Sequence, residues 1–536
     1  MLKIFGPHNR IWILIILSAA IRLLLAAFTE LGNDEVYYVN YALYPDLSHF
    51  DHPPMIGWLI QLFSLNLYFS SELFIRLGAV VAGSISTWLI YRIGIQLYDE
   101  VTGWYAALLF TASFYAAIIA GTFIMPDAPQ VLFWLLTLWF LIQAFEPAEN
   151  QKSGGNYWLL AAGAAAGLAL LSKYTSIFLF TGAFIYLLLY DRPRLLKWQV
   201  YAAVAIALLL FLPVLIWNAR YNFVSFTFHS ERVEVASHLI RPDLFLTEAG
   251  GQIFYNNPIV FSLIWLAVIA VIRGKLTSSK PQLRLLLAIA LPVIALFLGF
   301  SLFRRTLPHW TGPAYITLIP VAALYLRTQT KQYRFSGLMH PAITAAMIFA
   351  VIVLALASLQ LSHGIILNKG IDKTTGKRLG IKDITLDMYG WEQLKRGFAP
   401  LYRHDTITGR MRKNAAIISQ RWFPGANLDY YVARPLGIRL LTLAPLERTH
   451  KYAWITQYRG GFNIGMDAYF FSSSYDYADP GELYKSYFLN IEKPDTIPVY
   501  RNQVLVEYFY MWRMRYMLKL PADSLSGRAV ADEPYN

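Results

Sequence analysis

Runs of about twenty apolar residues recur through the first 361 positions, each long enough to cross a bilayer as a helix. Hydrocarbon offers backbone N–H and C=O groups no water, so each run must close its hydrogen bonds within itself. The pattern predicts about eleven spans, near 11–28, 73–93, 103–120, 130–145, 157–172, 176–190, 200–217, 258–272, 285–300, 314–326 and 341–361. The runs at 157–172 and 176–190 are short and separated only by Ser172-Lys173-Tyr174-Thr175, which fits a tight helical hairpin or one longer span. Apolar residues make up 56% of the chain and charged residues 15%, so a polytopic α-helical membrane protein is the expected class.

Basic residues set the expected orientation. With the N-terminus inside, the inner loops carry Lys3, Arg10, Arg92, Lys152, Arg192, Arg194, Lys197, Arg273, Lys275, Lys280, Arg284, Arg327, Lys331 and Arg334. The first outer loop, about 29–72, has no Lys or Arg but carries Glu30, Asp34, Glu35, Asp46, Asp51 and Glu72. The asymmetry follows the positive-inside rule, and an odd number of spans then leaves the C-terminal region outside. Arg10 before an apolar core and Ala19-Ala20 imitates a signal peptide, but the apolar run is longer than a usual signal core, so an uncleaved first span is expected. The absence of cysteine excludes disulfides and thiolate metal sites. No Asn-x-Ser/Thr sequon is present, which favours a bacterial envelope. The net charge of +13 points to anionic lipid or an anionic substrate, and outward-facing function argues against a nucleic-acid partner.

Composition changes near 362. Beyond it come mixed polar, aromatic and charged residues with turn signals at Pro424-Gly425 and Asp479-Pro480-Gly481. The division is therefore 1–361, with the outer loop 29–72, and 362–536 as a soluble α/β or α+β domain. Ala415–Ser419 and Leu440–Leu443 read as buried strands and Lys451–Thr456 alternates as a strand, while Lys485–Leu489 and Val504–Tyr516 fit strand or helix. Met55–Leu67 is expected as an amphipathic helix on the membrane surface, entered through Pro53-Pro54. Small residues over Ala161–Gly167 suit close helix packing.

Acids at the ends of membrane segments are costly to desolvate and mark functional sites. Asp34-Glu35, followed by Tyr37, stands just after the first span: a general base with its neighbours, or an acidic helix start favoured by the helix dipole. Phe50-Asp51-His52-Pro53-Pro54 offers His52 as a phosphate contact and Asp51 as its orienting acid or as a ligand for a divalent metal. Asp127, in Met125-Pro126-Asp127-Ala128-Pro129, reads either as a helix cap or as an acid holding an acceptor or a metal. Lys173, Arg304, Arg305 and His309 stand near outer helix ends, where cations either clamp an anionic leaving group or snorkel to lipid phosphate. No Walker loop, dinucleotide glycine fingerprint or HExxH is present, and an outward-facing enzyme would draw instead on a membrane-borne activated donor.

Asp34-Glu35, Phe50-Asp51-His52-Pro53-Pro54, Ser71-Glu72 with Arg76-Leu77, and Pro126-Asp127-Ala128-Pro129 resemble, in order and spacing over about 30–145, the GT-C glycosyltransferases. The resemblance is to the group of protein O-mannosyltransferases and lipid A aminoarabinose transferases. Thr306–Tyr315 is similar to a late loop of bacterial members, whereas from 362 onward the likeness is architectural only. The resemblance implies a polyprenyl-phosphate sugar donor and inverting transfer to lipid A, another glycan, a glycolipid or a protein on the periplasmic face of a bacterial inner membrane. It implies Asp34 as base and Asp127 as the second acid. His52 falls where aminoarabinose transferases carry a lysine facing the lipid phosphate, and a neutral His brings no charge there. Asp51 matches a Glu of those enzymes, which leaves a metal role open. A transporter or flippase of a lipid-linked substrate is the rival reading, but it favours midplane charges and inverted repeats.

Overall fold

The computed structural model describes residues 7–145, 155–233, 239–276, 280–332, 339–366, 370–372, 376, 379–380 and 383–521. Lys3, Lys152 and Arg334, used above for orientation, lie outside the described residues. Contacts divide the chain into two units, Met1–Phe28 with Tyr41–Leu354 and Thr29–Asn40 with Ala355–Asn536.

Helices α1 (Pro7–Phe28), α2 (Asn33–Leu43), α3 (Met55–Phe63), α4 (Glu72–Leu97) and α5 (Glu100–Ala112) lead to a π-turn at Tyr115–Ile119. Then follow α6 (Asp127–Ala144), α7 (Gly155–Leu170), α8 (Ile177–Tyr190), α9 (Trp198–Arg220), α10 (Val224–Val233), α11 (Pro242–Tyr255) and α12 (Pro258–Ile272). Helices α13 (Lys280–Ser301), α14 (Gly312–Gln332) and α15 (Pro341–His363) complete the series. Among the described residues six helices are long and apolar enough to cross a membrane, and α11 with α12, bent by 99°, would make a seventh. The predicted run 103–120 is divided between α5 and the π-turn, and α7 and α8 are apolar but short. Short pieces arise because the chain breaks at polar turns, a cost tolerated where irregular backbone is buried in protein. Gly163 permits the close packing of α7 on α9, since a Cβ there would lie 2.3 Å from the Ala203 carbonyl oxygen. The predicted surface helix forms as α3 and stops at Phe63, before Leu65, Asn66 and Leu67 take positive φ.

The second unit is built on a mixed sheet. Its elements are α16 (Trp391–Thr408), β1 (Ala416–Ser419), α17 (Trp422–Asn427), β2 (Leu440–Thr442), α18 (Leu446–Thr449), α19 (Tyr452–Tyr458) and β3 (Ala468–Ser473). They are followed by α20 (Pro480–Tyr484), β4 (Phe488–Ile491), β5 (Asp495–Arg501) and β6 (Val504–Met517). The strand order is β2-β1-β3-β6-β4, with β5 also on β6. Strand β1 is parallel to both β2 and β3, and the remaining pairs are antiparallel. The expectation of a strand at Lys451–Thr456 is corrected: this is the start of α19, every residue of 451–456 is buried, and a parallel β2–β3 connection requires a crossover, usually helical. Val504–Tyr516 resolves as the long strand β6, and Lys485–Leu489 runs from the end of α20 into β4. Arg501, fully buried, donates to Asp383 at 2.8 Å and to the Gln360 carbonyl at 3.2 Å, tying the end of α15 to the sheet.

Candidate active site

In the first unit, five irregular segments converge. Asp127 is the first residue of α6 and is almost completely buried. Its Oδ1 accepts from Tyr115 Oη at 2.7 Å and its Oδ2 from Lys173 Nζ at 2.8 Å. Lys173, in the turn between α7 and α8, is itself 6% exposed, so the pair is a buried, charge-assisted contact. Tyr115 opens the π-turn, a geometry often found at functional sites. Gly312, in the Thr306–Tyr315 stretch, is required there, because a Cβ would stand 2.2 Å from the Tyr115 ring.

Asp51 and His52 lie on the loop before α3. The Asp51 carboxylate accepts from Tyr41 Oη, and the Asp51 carbonyl oxygen lies 2.8 Å from His229 Nε2, which therefore carries a proton. The His52 and His229 rings are 6.3 Å apart, and Tyr174 packs edge-on to His229 at 5.1 Å. Burial pushes His52 down to about 3; Asp51 and Asp127 oppose this and Lys173 and His229 add to it. His309, in the turn Pro308–Thr311, is lowered to about 4 by burial and by Lys173, against Asp127. Both imidazoles are neutral at pH 7, so they bring N–H donors to this cluster and Lys173 brings the charge.

Arg304 and Arg305 stand apart from that cluster in role. Arg304 donates to the Glu231 carbonyl of α10 at 2.7 Å, which braces the helix carrying His229, and Arg305 is exposed. Among the described residues no group of three or more His, Asp or Glu side chains is placed to hold a metal ion. The carboxylate of Asp51, the candidate metal ligand, accepts from Tyr41 Oη.

Asp34, Glu35 and Tyr37 belong to the second unit. Asp34 is exposed in the first turn of α2, whereas Glu35 is buried and its Oε2 accepts from the Gly32 N–H at 2.8 Å. Glu35 thus serves as the acidic half of a capping box, the local role that an acid three residues into a helix takes. Residues of the C-terminal region hold this helix. Glu30 accepts from the Trp391 and Glu392 N–H groups at 3.0 and 3.3 Å, capping α16, and Tyr431 Oη accepts from the Leu31 N–H at 2.6 Å. Tyr37 Oη accepts from the Lys451 N–H at 3.2 Å, and its ring packs against Trp422 at 5.1 Å. Asn40 donates to Tyr452 Oη at 3.0 Å, Tyr452 donates to Asp429 at 3.1 Å, and Arg459 clamps Asp429 at 2.8 and 3.0 Å. Asp34 is an exposed residue, whereas Asp127 is buried with both carboxylate oxygens hydrogen-bonded.

Sequence reasoning missed Tyr115, Tyr41, His229 and Tyr174. Single aromatic and His residues carry no spacing signal; a Tyr twelve residues before Asp127 becomes its partner only because the π-turn doubles the chain back.

A family profile described as dolichyl-phosphate-mannose-protein mannosyltransferase matches residues 51–217. The chain is 26% identical over 306 residues to the lipid A galacturonosyltransferase RgtD of Rhizobium johnstonii, covering 56% of this chain and 62% of that protein. It is 24% identical over 307 residues to the undecaprenyl phosphate-alpha-4-amino-4-deoxy-L-arabinose arabinosyl transferase of Yersinia pestis, covering 55% of this chain and 52% of that one. The chain therefore spans between half and two-thirds of the length of these curated relatives. Its fold is similar to the crystal structure of ArnT from Cupriavidus metallidurans bound to undecaprenyl phosphate, with TM-score 0.62 at 13% identity over 94% of this chain and 98% of that one. In part of its sequence and in its fold, the chain is similar to these glycosyltransferases.

Proposed function

We propose that the protein is an inverting glycosyltransferase that moves a sugar from a polyprenyl-phosphate donor to an envelope acceptor, which is lipid A, another glycan, a glycolipid or a protein. The observation that carries the reading is the buried Lys173–Asp127–Tyr115 cluster with neutral His52 and His309 beside it, on a fold similar to a transferase bound to a polyprenyl phosphate. In the reaction an acceptor oxygen or nitrogen bonds to the anomeric carbon as the bond from that carbon to the phosphate oxygen breaks. The electron pair leaves with the phosphate, and Asp34 takes the acceptor proton. Lys173 and the two imidazoles meet charge that grows on the phosphate, where preorganised donors contribute most. Asp127 holds Lys173 in place rather than acting as base.

In this reading 1–361 crosses the bacterial inner membrane about eleven times, with the N-terminus cytoplasmic, and carries the outer loop 29–72. Residues 362–536 form a periplasmic domain. The test is transfer of radiolabel from a panel of polyprenyl-phosphate sugars to envelope extract. Asp34→Asn, checked for folding, should lose on the order of 10²–10⁴ in rate, the share a positioned base supplies. Equal transfer by wild type and Asp34→Asn would remove Asp34 as base, and no transfer by wild type across the panel would overturn the proposal.

A further inference from the structure

In the first unit, α11 turns a polar face inward. Glu248, Gly251, Gln252 and Tyr255 recur at the spacing that lines one side of a helix. Glu248 and Gln252 are each 1% exposed, whereas Leu246 and Ile253 on the opposite side are exposed. The inward face meets the stretch that carries His309. Glu248 Oε2 accepts from Thr306 Oγ1 at 2.8 Å, and its Oε1 accepts from Gln252 Nε2 at 2.8 Å. Gln252 Oε1 in turn accepts from Tyr315 Oη at 2.8 Å. Between these two anchors Pro308 lies against Gly251, where a Cβ would stand 2.2 Å from the proline Cγ. The Tyr255 ring stands 6.2 Å from the ring of His309 itself.

The arrangement is costly for simple packing. Among the described residues no cation pairs with Glu248, so this acid is buried on hydrogen bonds alone. Apolar side chains on both sides would fill the same space at less cost. They would not fix direction. The bonds reach Thr306, three residues before His309, and Tyr315, six after it, so the turn Pro308–Thr311 is held against α11 in one orientation. Within the turn, Thr311 Oγ1 donates to the Pro308 carbonyl at 2.9 Å, and the Trp310 N–H donates to the Leu307 carbonyl at 2.9 Å. None of these bonds uses a His309 ring nitrogen, so the imidazole is placed without being spent. Placement matters because an ångström of error in a group that meets the reacting centre costs heavily in rate.

We propose that Glu248 and Gln252 are positioning residues, which act through Thr306 and Tyr315 to set the His309 ring beside the Lys173–Asp127 pair, where it donates to the phosphate of the departing lipid carrier. The inference rests on the transferase reading above, and its test separates the two. The full chain in nanodiscs would be assayed for equilibrium binding of radiolabelled undecaprenyl phosphate, a polyprenyl phosphate of the class the proposed reaction releases, and for label transfer to envelope extract. Glu248→Leu nearly keeps the volume and breaks both bonds. Glu248→Gln can remake them, its amide oxygen accepting from Gln252 and its amide nitrogen donating to Thr306 Oγ1. Thr306→Val removes a single hydroxyl and serves where Glu248→Leu does not fold. Each substitution is made in wild type and in His309→Ala.

Glu248→Leu and Thr306→Val should each weaken carrier binding and lower kcat about tenfold, the worth of one hydrogen bond to a charged group, with acceptor KM unchanged. In His309→Ala they should cost nothing further, the non-additivity of residues that act through one another. Glu248→Gln should recover most of the loss. No loss, equal losses with and without His309, or Glu248→Gln no better than Glu248→Leu overturns the positioning role. Absence of carrier binding by wild type overturns it too. The non-additive pattern in carrier binding, without transfer by any form, upholds the positioning and sinks the transferase.

Discussion

Replacing Lys173 by Met tests whether the Asp127 pair is the charged keystone argued here. The two side chains are 7% and 1% exposed and meet at 2.8 Å. Removing the cation strands a carboxylate in a site with little water. Tyr115 keeps its bond to Oδ1, and a hydrogen bond to a charged group contributes roughly 1.5–3 kcal/mol, but Tyr115 supplies no charge. Breaking one partner of a buried pair costs roughly 3–5 kcal/mol, whereas replacing both by apolar groups is often neutral. Lys173→Met should therefore lose about 3–5 kcal/mol, and Lys173→Met with Asp127→Leu should recover most of it. If Lys173 meets the donor phosphate as proposed, transfer should be abolished in both. The assay is reversible unfolding in mixed micelles, with circular dichroism as readout and label transfer measured on the same preparations. A single-variant loss below about 1 kcal/mol, or a double variant no more stable than the worse single, refutes the reasoning.

Two further outcomes follow from the second unit. Tyr452→Phe removes the hydroxyl linking Asn40 to Asp429 and should cost about 1–3 kcal/mol. It should also lower kcat about tenfold with acceptor KM little changed if α2 is positioned through this relay, and unchanged kcat would remove the positioning role. Glu507 binds its proton more tightly folded than unfolded, so the stability it contributes is full below about 4.5 and declines as pH rises toward about 8. The decline amounts to at most roughly 5 kcal/mol. Glu507→Gln should gain thermal midpoint on wild type between pH 5 and 9, and parallel curves would contradict the buried neutral carboxyl.

Much of the fold was legible because it rests on local pattern. Apolar length announced the membrane helices, β-branched and aliphatic runs announced β1 and β2, and the loss of apolar length near 362 announced a change of architecture. Asp34, Asp127 and His52 stand out as candidates for a different reason: acids and imidazoles at membrane-helix ends are expensive. Lys451–Thr456 was misread, since a short apolar run such as Tyr452-Ala453-Trp454-Ile455 looks alike as buried strand or buried helix. Only the β2–β3 connection, parallel and therefore needing a crossover, settles it as helix.

Roles within the site needed tertiary structure. The sequence presents Asp34 and Asp127 as equivalent acids at helix starts. Three-dimensional packing makes one an exposed carboxylate and the other a doubly bonded partner of Lys173, forty-six residues away. The sequence likewise draws Thr29–Asn40 as part of the loop after the first span. The structure assigns it to the C-terminal unit, through bonds from Glu30, Leu31, Tyr37 and Asn40 to residues some 360 to 414 positions later. Periodicity reports which face of an element is apolar, and residue type reports what chemistry is available. Neither reports which distant group neutralises a charge or fills a lone pair, because burial and hydrogen bonding are set by the whole chain's packing.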